Sequence, residues 1–394
     1  MVTNEMCGLS LSRLGFGCMR LPTRDGAIDQ EQVERMVDYA LENGVNYFDT
    51  AWPYHGGTSE ISIGKALARY PRESWYLANK YPGHQVSDHY DPAALFEEQL
   101  EKCGVEYFDF YLLHNVYENS LATYQDPRWG IVDYFKEQKR LGRIKHLGFS
   151  SHARPETLAK ILDYLGEDVE FCQIQLNYLD WTLQDAKAKV ELLTRRNKPI
   201  VVMEPLRGGK LANLPEADAS RLTALRPGES TASWAFRWLQ ALPNVKVVLS
   251  GMSDYDQMVD NVKTFSGGES LTGEENSLLL EIAEDLKDAI PCTRCRYCCE
   301  GCPMGLDIPT LIHAWNDLRF NPGSMTVPMQ MDALPEDKKP SACIGCGACA
   351  AICPQSIDIP RAMADFAQAL GKVKSWAEIC KEREEAARKL KEGK

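Results

Sequence analysis

Along the first two thirds of the chain, two kinds of stretch take turns. Short runs rich in β-branched and aromatic residues carry apolar side chains at nearly every position: "RLGFGCM", "VNYFDT", "SWYLANK", "DFYLLH", "IKHLGFS", "FCQIQLNY", "PIVVME" and "VKVVLS". Strands buried on both faces read this way, without strict alternation. Between them lie stretches with apolar residues at helical spacing. "QEQVERMVDYALENG" ends on Gly44, a C-cap residue type, and "DPAALFEEQLEKCG" opens with Asp91 before Pro92 and ends at Gly104. Such alternation over roughly 250 residues predicts a closed parallel (β/α)8 TIM barrel over residues 1–270. The rival fold, an open doubly wound sheet, lacks its dinucleotide fingerprint. "GFGCMR" is only Gly-x-Gly-x-x-Arg, and no acid follows at the right distance.

A polar, glycine-rich stretch, "SGGESLTGEEN", marks the seam. Residues 271–394 then form a mainly helical second domain. A helix "SLLLEIAEDLKDAI" leads into it. The methionines of "SMTVPMQMDALPEDKK" are expected to pack rather than bind metal, and the closing "AEICKEREEAARKLKEGK" reads as a charged helix with a solvated face.

Composition narrows the function classes. A formal charge of −12, from 44 basic and 56 acidic residues, argues against nucleic acid or an anionic membrane as partner. The N-terminus lacks a basic segment followed by an apolar run, and no stretch of membrane-spanning length is apolar. The cytoplasm is the expected compartment.

Of the 14 cysteines, nine fall between Cys292 and Cys353. Cys292, Cys295, Cys298 and Cys302 precede Pro303; Cys343, Cys346, Cys349 and Cys353 precede Pro354. Both runs read C-x2-C-x2-C-x3-C-P. Zinc, the other metal that takes four thiolates, favours paired C-x2-C knuckles instead. The segment resembles a bacterial ferredoxin module with two clusters, and the tails "GLDIP" and "SIDIP" repeat the half-module. Two [4Fe–4S] clusters are implied. In that pattern the fourth cysteine crosses to the other cube. The sets are Cys292, Cys295, Cys298 and Cys353 for one cluster, and Cys343, Cys346, Cys349 and Cys302 for the other. Cys299 beside Cys298 is either a spare thiol or a replacement ligand.

On the barrel, Asp49, Lys80 and His114 close three successive predicted strands, and Tyr54 follows Asp49 closely. Catalytic groups collect at the C-terminal ends of such strands. An ammonium beside a phenol favours its ionised form, a carboxylate can hold the ammonium, and an imidazole can orient a carbonyl. Singly, each has a structural use as cap, solvated charge or packing.

With "GVNYFDTAWPYHGGTSEISIGKAL", "ANK", "DFYLLHN", "GRIKHLGFSSH", "PLRGGKL" and "LSGMSDYDQMVDN", the first two thirds resemble the aldo/keto reductases. The resemblance implies a barrel that binds NADPH or NADH and interconverts a carbonyl and an alcohol. It makes Tyr54 the general acid, tuned by Lys80, with Asp49 anchoring Lys80 and His114 placing the carbonyl. It places the cofactor against Asp49, Ser150, Ser151, Gln175, Tyr178, Pro205, Leu206, Gly209, Leu211, Gly251, Met252, Gln257 and Asn261. Ser253, Asp254 and Asp256 stand where the family often has a basic residue for the 2′-phosphate, and an acid there repels that phosphate. Three accounts join the two parts: a carbonyl reductase stapled by its clusters, an enzyme relaying electrons to an external ferredoxin or flavoprotein, or an electron-transfer protein with an idle barrel. The substrate pocket would draw on rim loops containing Tyr117, Tyr124 and Trp129.

Overall fold

The computed structural model describes residues 1–267, 269–286, 290, 292, 296–353 and 355–392. Eight strands form a closed parallel barrel: β1 (Leu14–Gly17), β2 (Tyr47–Asp49), β3 (Tyr76–Tyr81), β4 (Phe108–Leu113), β5 (Ile144–Ser151), β6 (Phe171–Gln175), β7 (Ile200–Met203) and β8 (Val245–Ser250). Each pairs with its sequence neighbour, and β8 closes on β1. Every predicted apolar run overlaps one of them, and no strand extends more than one residue beyond its run. The predicted caps also form. Asp91 accepts from the Ala94 amide at 2.9 Å, and Gly104 ends that helix in the left-handed region at φ 65.

The barrel floor was not foreseen. A hairpin of Thr3–Met6 and Leu9–Ser12 sends Met6 and Leu11 into a core with Tyr47, Phe110, Phe171 and Val247. Its strands are too short and too polar to stand out in the sequence. Around the outside, helix Ser59–Leu67 lies very close to the end of helix Pro92–Cys103. A Cβ on Gly64 would fall 2.5 Å from the Cys103 carbonyl oxygen, so only glycine allows this approach.

The chain divides into two compact units, Met1–Ile282 with Arg383–Lys394, and Ala283–Glu382. Neither break falls at residue 271. The helix Gly273–Asp285 begins on the barrel unit because Arg226 grips Glu275 through two bonds, of 2.6 and 2.9 Å, and Arg221 meets Glu281 at 2.7 Å.

The second unit is all-helical among its described residues. It repeats a small plan. A short turn of helix, Tyr297–Glu300 or Ala348–Ala351, is followed by a longer helix, Ile308–Phe320 or Ile359–Leu370, each with a proline in its first turn. The isoleucines of the two repeated tails, Ile308 and Ile359, enter one core with Leu311, Met331, Met363 and Phe366. Met329 and Met331 are buried, as packing residues should be. Among the described residues no helix is long and apolar enough to cross a membrane.

Candidate active site and cysteine centres

Asp49 ends β2 and Lys80 lies on the adjacent β3, so strand pairing alone brings them together. Lys80 is 0% exposed. Its Nζ donates to Asp49 Oδ1 at 2.5 Å and to the Thr50 carbonyl at 2.7 Å. Burial works against the ammonium, but Asp49 and Tyr54 outweigh it and hold the group above its ordinary range. Burial pushes the Asp49 carboxyl up against the pull of Lys80. Asp49 Oδ2 is buried without a hydrogen-bond partner.

Tyr54 opens a tight turn, Tyr54–Gly57, in which Gly56 and Gly57 take φ of 62 and 91, a region open to glycine. His55 pins the turn to the segment after β1 by accepting from the Leu21 amide at 3.1 Å. The Lys80 ammonium lies 5.1 Å from the centre of the Tyr54 ring. Burial raises the phenol above its usual range; Lys80 pulls it down and Asp49 pushes it up. The isolated site therefore keeps Tyr54 protonated, and the expected lowering by lysine is present as the weaker of two opposed effects.

His114 follows β4. Its ring stands edge-on to Tyr54 at 6.3 Å and 4.3 Å from the His84 ring. Burial first, then His84 and Lys80, hold it well below the usual imidazole range, so it is neutral. Its Nδ1 has no hydrogen-bond partner. Its backbone is fixed from both sides: the amide donates to the Tyr81 carbonyl at 2.9 Å, and Tyr124 donates to its carbonyl at 2.8 Å. Tyr124 is thus a buried support. Trp129 packs edge-on to His89 and Tyr90, and Tyr117 is buried.

A second polar cluster lies behind β3. Buried Glu60 accepts from Asn79 at 2.8 Å and Gln99 at 3.0 Å, and pairs with Lys102 at 3.4 Å. Asn79 accepts from the Lys80 amide, and Gln99 donates to the Lys80 carbonyl. These bonds fix the backbone from which Lys80 projects. The sequence hid them, because an acid inside a helix ordinarily marks its wet face.

The expected cofactor residues gather around the same rim. Ser150 and Ser151 end β5 and are buried. Ser150 Oγ accepts from the Asn115 amide, and Ser151 Oγ donates to the Val116 carbonyl and accepts from the Ala153 amide. Ser151 therefore spends its hydroxyl on the backbone. Gln175 ends β6 and donates to Asp180 at 2.8 Å, leaving Oε1 buried and without partner, as is the Tyr178 hydroxyl. Pro205 and Leu206 follow β7 and lead into a turn where Gly208 and Gly209 have φ of 69 and 95; Leu211 is buried behind it. After β8, Gly251 is exposed and Met252 buried, Gln257 accepts from the Ser253 amide at 2.9 Å, and Asn261 donates to Ser250 Oγ at 2.8 Å. Asp254 caps the next helix through the Gln257 amide.

Sequence reading missed four neighbours of this rim. Arg20 lays its stem against Gly251 and brings Nη2 beside Gly208. His84 and His152 join His114 as buried or half-buried imidazoles, with His152 pushed down to about 4 by burial and then Lys189. Arg383, from the helix taken as a solvated face, is half-buried, and its charge is felt at Tyr54, His84 and His114. Nothing local to "EREEA" signals this. At the opposite end of the barrel, Cys7, His146 and Glu170 offer ligand atoms within 4.8 Å of one another, but Glu170 is already bonded to His146 at 2.9 Å and paired with Lys139 at 2.6 Å.

In the second unit, a cleft is lined by Cys302, Cys343, Cys346 and Cys349, with Met304, Leu306 and Met363 among its apolar walls. Cys298 is buried, its thiol pushed up to about 12 by burial and then by Cys299 and Cys292, and those two cysteines pack against the same core. Cys353 packs on the same core. Asn316 holds the approach to Cys292 by bonding both the amide and the carbonyl of Ile290, at 2.8 and 3.0 Å. Cys295 lies outside the described residues.

A closed barrel with a lysine–carboxylate pair, a phenol and a neutral imidazole at one mouth defines a class: an oxidoreductase that exchanges a proton at a carbonyl or alcohol oxygen. The family profile described as "Aldo/keto reductase family" matches residues 13–284, and a "4Fe-4S dicluster domain" profile matches residues 291–357. The chain belongs to the aldo/keto reductase family and carries an iron–sulfur dicluster-type domain. An uncharacterised oxidoreductase of Bacillus subtilis strain 168, YqkF, is 27% identical over 68% of this chain and 91% of its own. An NADH-specific methylglyoxal reductase of Escherichia coli K12 is 24% identical over 71% of this chain and 97% of its own. The solved aldo-keto reductase AKR11C1 of Bacillus halodurans, in its holo form, superimposes with a TM-score of 0.58 at 27% identity, covering 72% of this chain and 96% of that one.

Proposed function

We propose that the enzyme interconverts an aldehyde or ketone and its alcohol with a nicotinamide dinucleotide. The observation that carries this is the buried Lys80–Asp49 pair, with the Lys80 ammonium 5.1 Å from the centre of the Tyr54 ring. A bound nicotinamide supplies or takes the hydride. Tyr54, kept protonated, gives its proton to the carbonyl oxygen in the reducing direction. Lys80 stabilises the phenolate left behind, and Asp49 keeps Lys80 charged and in place. His114, neutral, orients the substrate oxygen without competing as an acid. The E. coli relative's printed name, a methylglyoxal reductase, supports a carbonyl substrate.

The donors present fit a dinucleotide. Gln175 Oε1 and the Tyr178 hydroxyl are buried polar atoms without partners. The Gly208–Gly209 turn lets backbone come close to a ligand, and Arg20 brings a cation to it. The four-sulfur cleft supports one [4Fe–4S] cluster on Cys302, Cys343, Cys346 and Cys349. The remaining set, Cys292, Cys295, Cys298 and Cys353, would hold the other. Such clusters supply one-electron chemistry, whereas carbonyl reduction by a nicotinamide needs none. We therefore assign them to holding the second unit together. Two such clusters suit the reducing cytoplasm.

The test is anaerobic purification with iron and sulfide counting, then NADH and NADPH titration and carbonyl turnover by wild type and Tyr54→Phe. Turnover that falls at least roughly 100-fold in the variant supports the assignment. Wild-type protein that binds neither dinucleotide overturns it. Turnover that vanishes on removing the clusters from an intact barrel points to electron relay instead.

A further inference from the structure

The floor of the barrel holds a group of side chains that the carbonyl chemistry does not use. Cys7 sits at the tip of the floor hairpin, where Met6 pairs with Leu9 across a turn of two residues. Cys7 and Gly8 have φ of 54 and 77. Such a turn needs positive φ at both places, and asparagine or aspartate before glycine suits it best. A cysteine is disfavoured there, so the turn alone does not account for it. His146 lies near the start of β5, its ring stacked on Phe110 of the floor core at 5.2 Å. Glu170 immediately precedes β6. Its Oε2 lies 2.9 Å from His146 Nδ1, and its Oε1 is paired with Lys139 at 2.6 Å. One ligand atom from each of Cys7, His146 and Glu170 lies within 4.8 Å of the other two. The side chains of His146 and Glu170 are 17% and 29% exposed, so an ion can enter from solvent.

We infer that Cys7, His146 and Glu170 form a zinc site that fastens the floor hairpin to β5 and β6. The inference does not depend on the reductase reading. Thiolate, imidazole and carboxylate are the three ligand types that zinc takes, and a water completes the four. Hard cations such as magnesium take oxygen ligands instead. Ligand atoms around a tetrahedral zinc stand roughly 3.3–3.8 Å apart, so these three need to close by at most roughly 1.5 Å. Burial and then Glu170 push the Cys7 thiol up to about 12. That argues against a nucleophile, whose reactive form is the thiolate. A dication reverses the local field; on binding, the thiol gives its proton to water and ligates as thiolate. Lys139 occupies Oε1, and a carboxylate oxygen has lone pairs to spare for an ion beside His146. In the sequence the three residues are 139 and 24 positions apart, and only the closure of the barrel over its hairpin gathers them.

The experiment uses holoenzyme purified anaerobically with its clusters loaded, because bare cluster cysteines also take zinc. Wild type, Cys7→Asn and His146→Gln are equilibrated with zinc chloride, desalted, and counted for zinc and iron. Asparagine suits the turn better than cysteine, so the first variant keeps the fold. The expected result is one zinc per wild-type chain with no loss of iron, and none in either variant. Titration against a competing chelator should show the variants weaker by at least roughly tenfold to 100-fold, the loss that changes behind a ligand already cause. Zinc should also raise the melting temperature of wild type and leave that of Cys7→Asn where it was. Wild type that retains no zinc overturns the inference. So does zinc retained equally by all three proteins, or zinc gained only as iron is lost, since the ion then sits elsewhere. If Cys7→Asn changes the melting temperature by the same amount with and without zinc, the three residues serve packing alone and the inference falls.

Discussion

Lys80→Met removes the cation and leaves its surroundings in place. Asp49 then sits buried with neither oxygen bonded to a side chain, because Oδ2 already lacks a partner and Oδ1 loses the 2.5 Å bond from Nζ. The Thr50 carbonyl loses its donor as well. Breaking a buried pair from one side costs about 3–5 kcal/mol, since the remaining charge has no compensation. At roughly 2–4 °C per kcal/mol, the melting temperature should fall by roughly 6–20 °C. Removing the partner as well, in Lys80→Met with Asp49→Leu, should restore much of that loss, because an apolar pair of similar volume replaces a half-broken ionic one. Catalysis should not return with stability. Both variants lose the stabilised phenolate, and kcat/KM should drop by roughly 10²–10⁴ in each. The assay is paired: thermal unfolding of the anaerobic protein, and dinucleotide oxidation with a saturating aldehyde. A single variant as stable as wild type and within tenfold of its kcat/KM would refute the reasoning, because the pair would then be neither buried nor used by Tyr54.

Cys302→Ser should cost about half of the bound iron and sulfide, since Cys302 lines the cleft of Cys343, Cys346 and Cys349; unchanged iron content would rule out its crossing to that set. His152, pushed down from 6.5 to about 4, favours the neutral folded form. Its stabilisation is whole above about pH 6.5 and lost as the pH falls toward 4, to a limit of about 3 kcal/mol. His152→Gln should flatten unfolding free energy across that window, and an unchanged slope would assign the acid sensitivity elsewhere. Asp254 and Asp256 follow Gly251 where a 2′-phosphate would be met, so NADH should show the lower KM, and Asp256→Arg should move the preference toward NADPH; tighter NADPH use by wild type would contradict this.

The barrel was legible because its strands are buried on both faces and announce themselves as unbroken apolar runs. The gathering of Asp49, Lys80 and His114 at one mouth was legible for a related reason: each stands at or just beyond the end of a strand, so topology alone brings them together. The dicluster-type domain was legible from the spacing of its two cysteine runs. What escaped depends on contacts between distant segments. Met6 and Leu11 close the barrel from a hairpin of four-residue strands in which five of the eight positions are polar. Glu60 and Gln99 form a buried network whose members look like ordinary helix surface. Arg226 captures Glu275 across 49 positions, a pairing that no local pattern encodes. Arg383 escaped for the same reason, on a helix whose composition suggests only water around it.

The split of the barrel unit around Ala283–Glu382 makes that excursion a tether. With the excursion unfolded, seating Ala386 and Leu390 against Gly56 and Gly57 of the Tyr54 turn means closing a loop of about one hundred residues, an entropic charge of roughly 4 kcal/mol. Once the excursion is folded its two ends are held, and most of that charge has already been met. Unfolding of the excursion would therefore loosen the tail from the Tyr54 turn, and trimming the chain at the apparent domain boundary would remove part of the barrel unit it was meant to isolate.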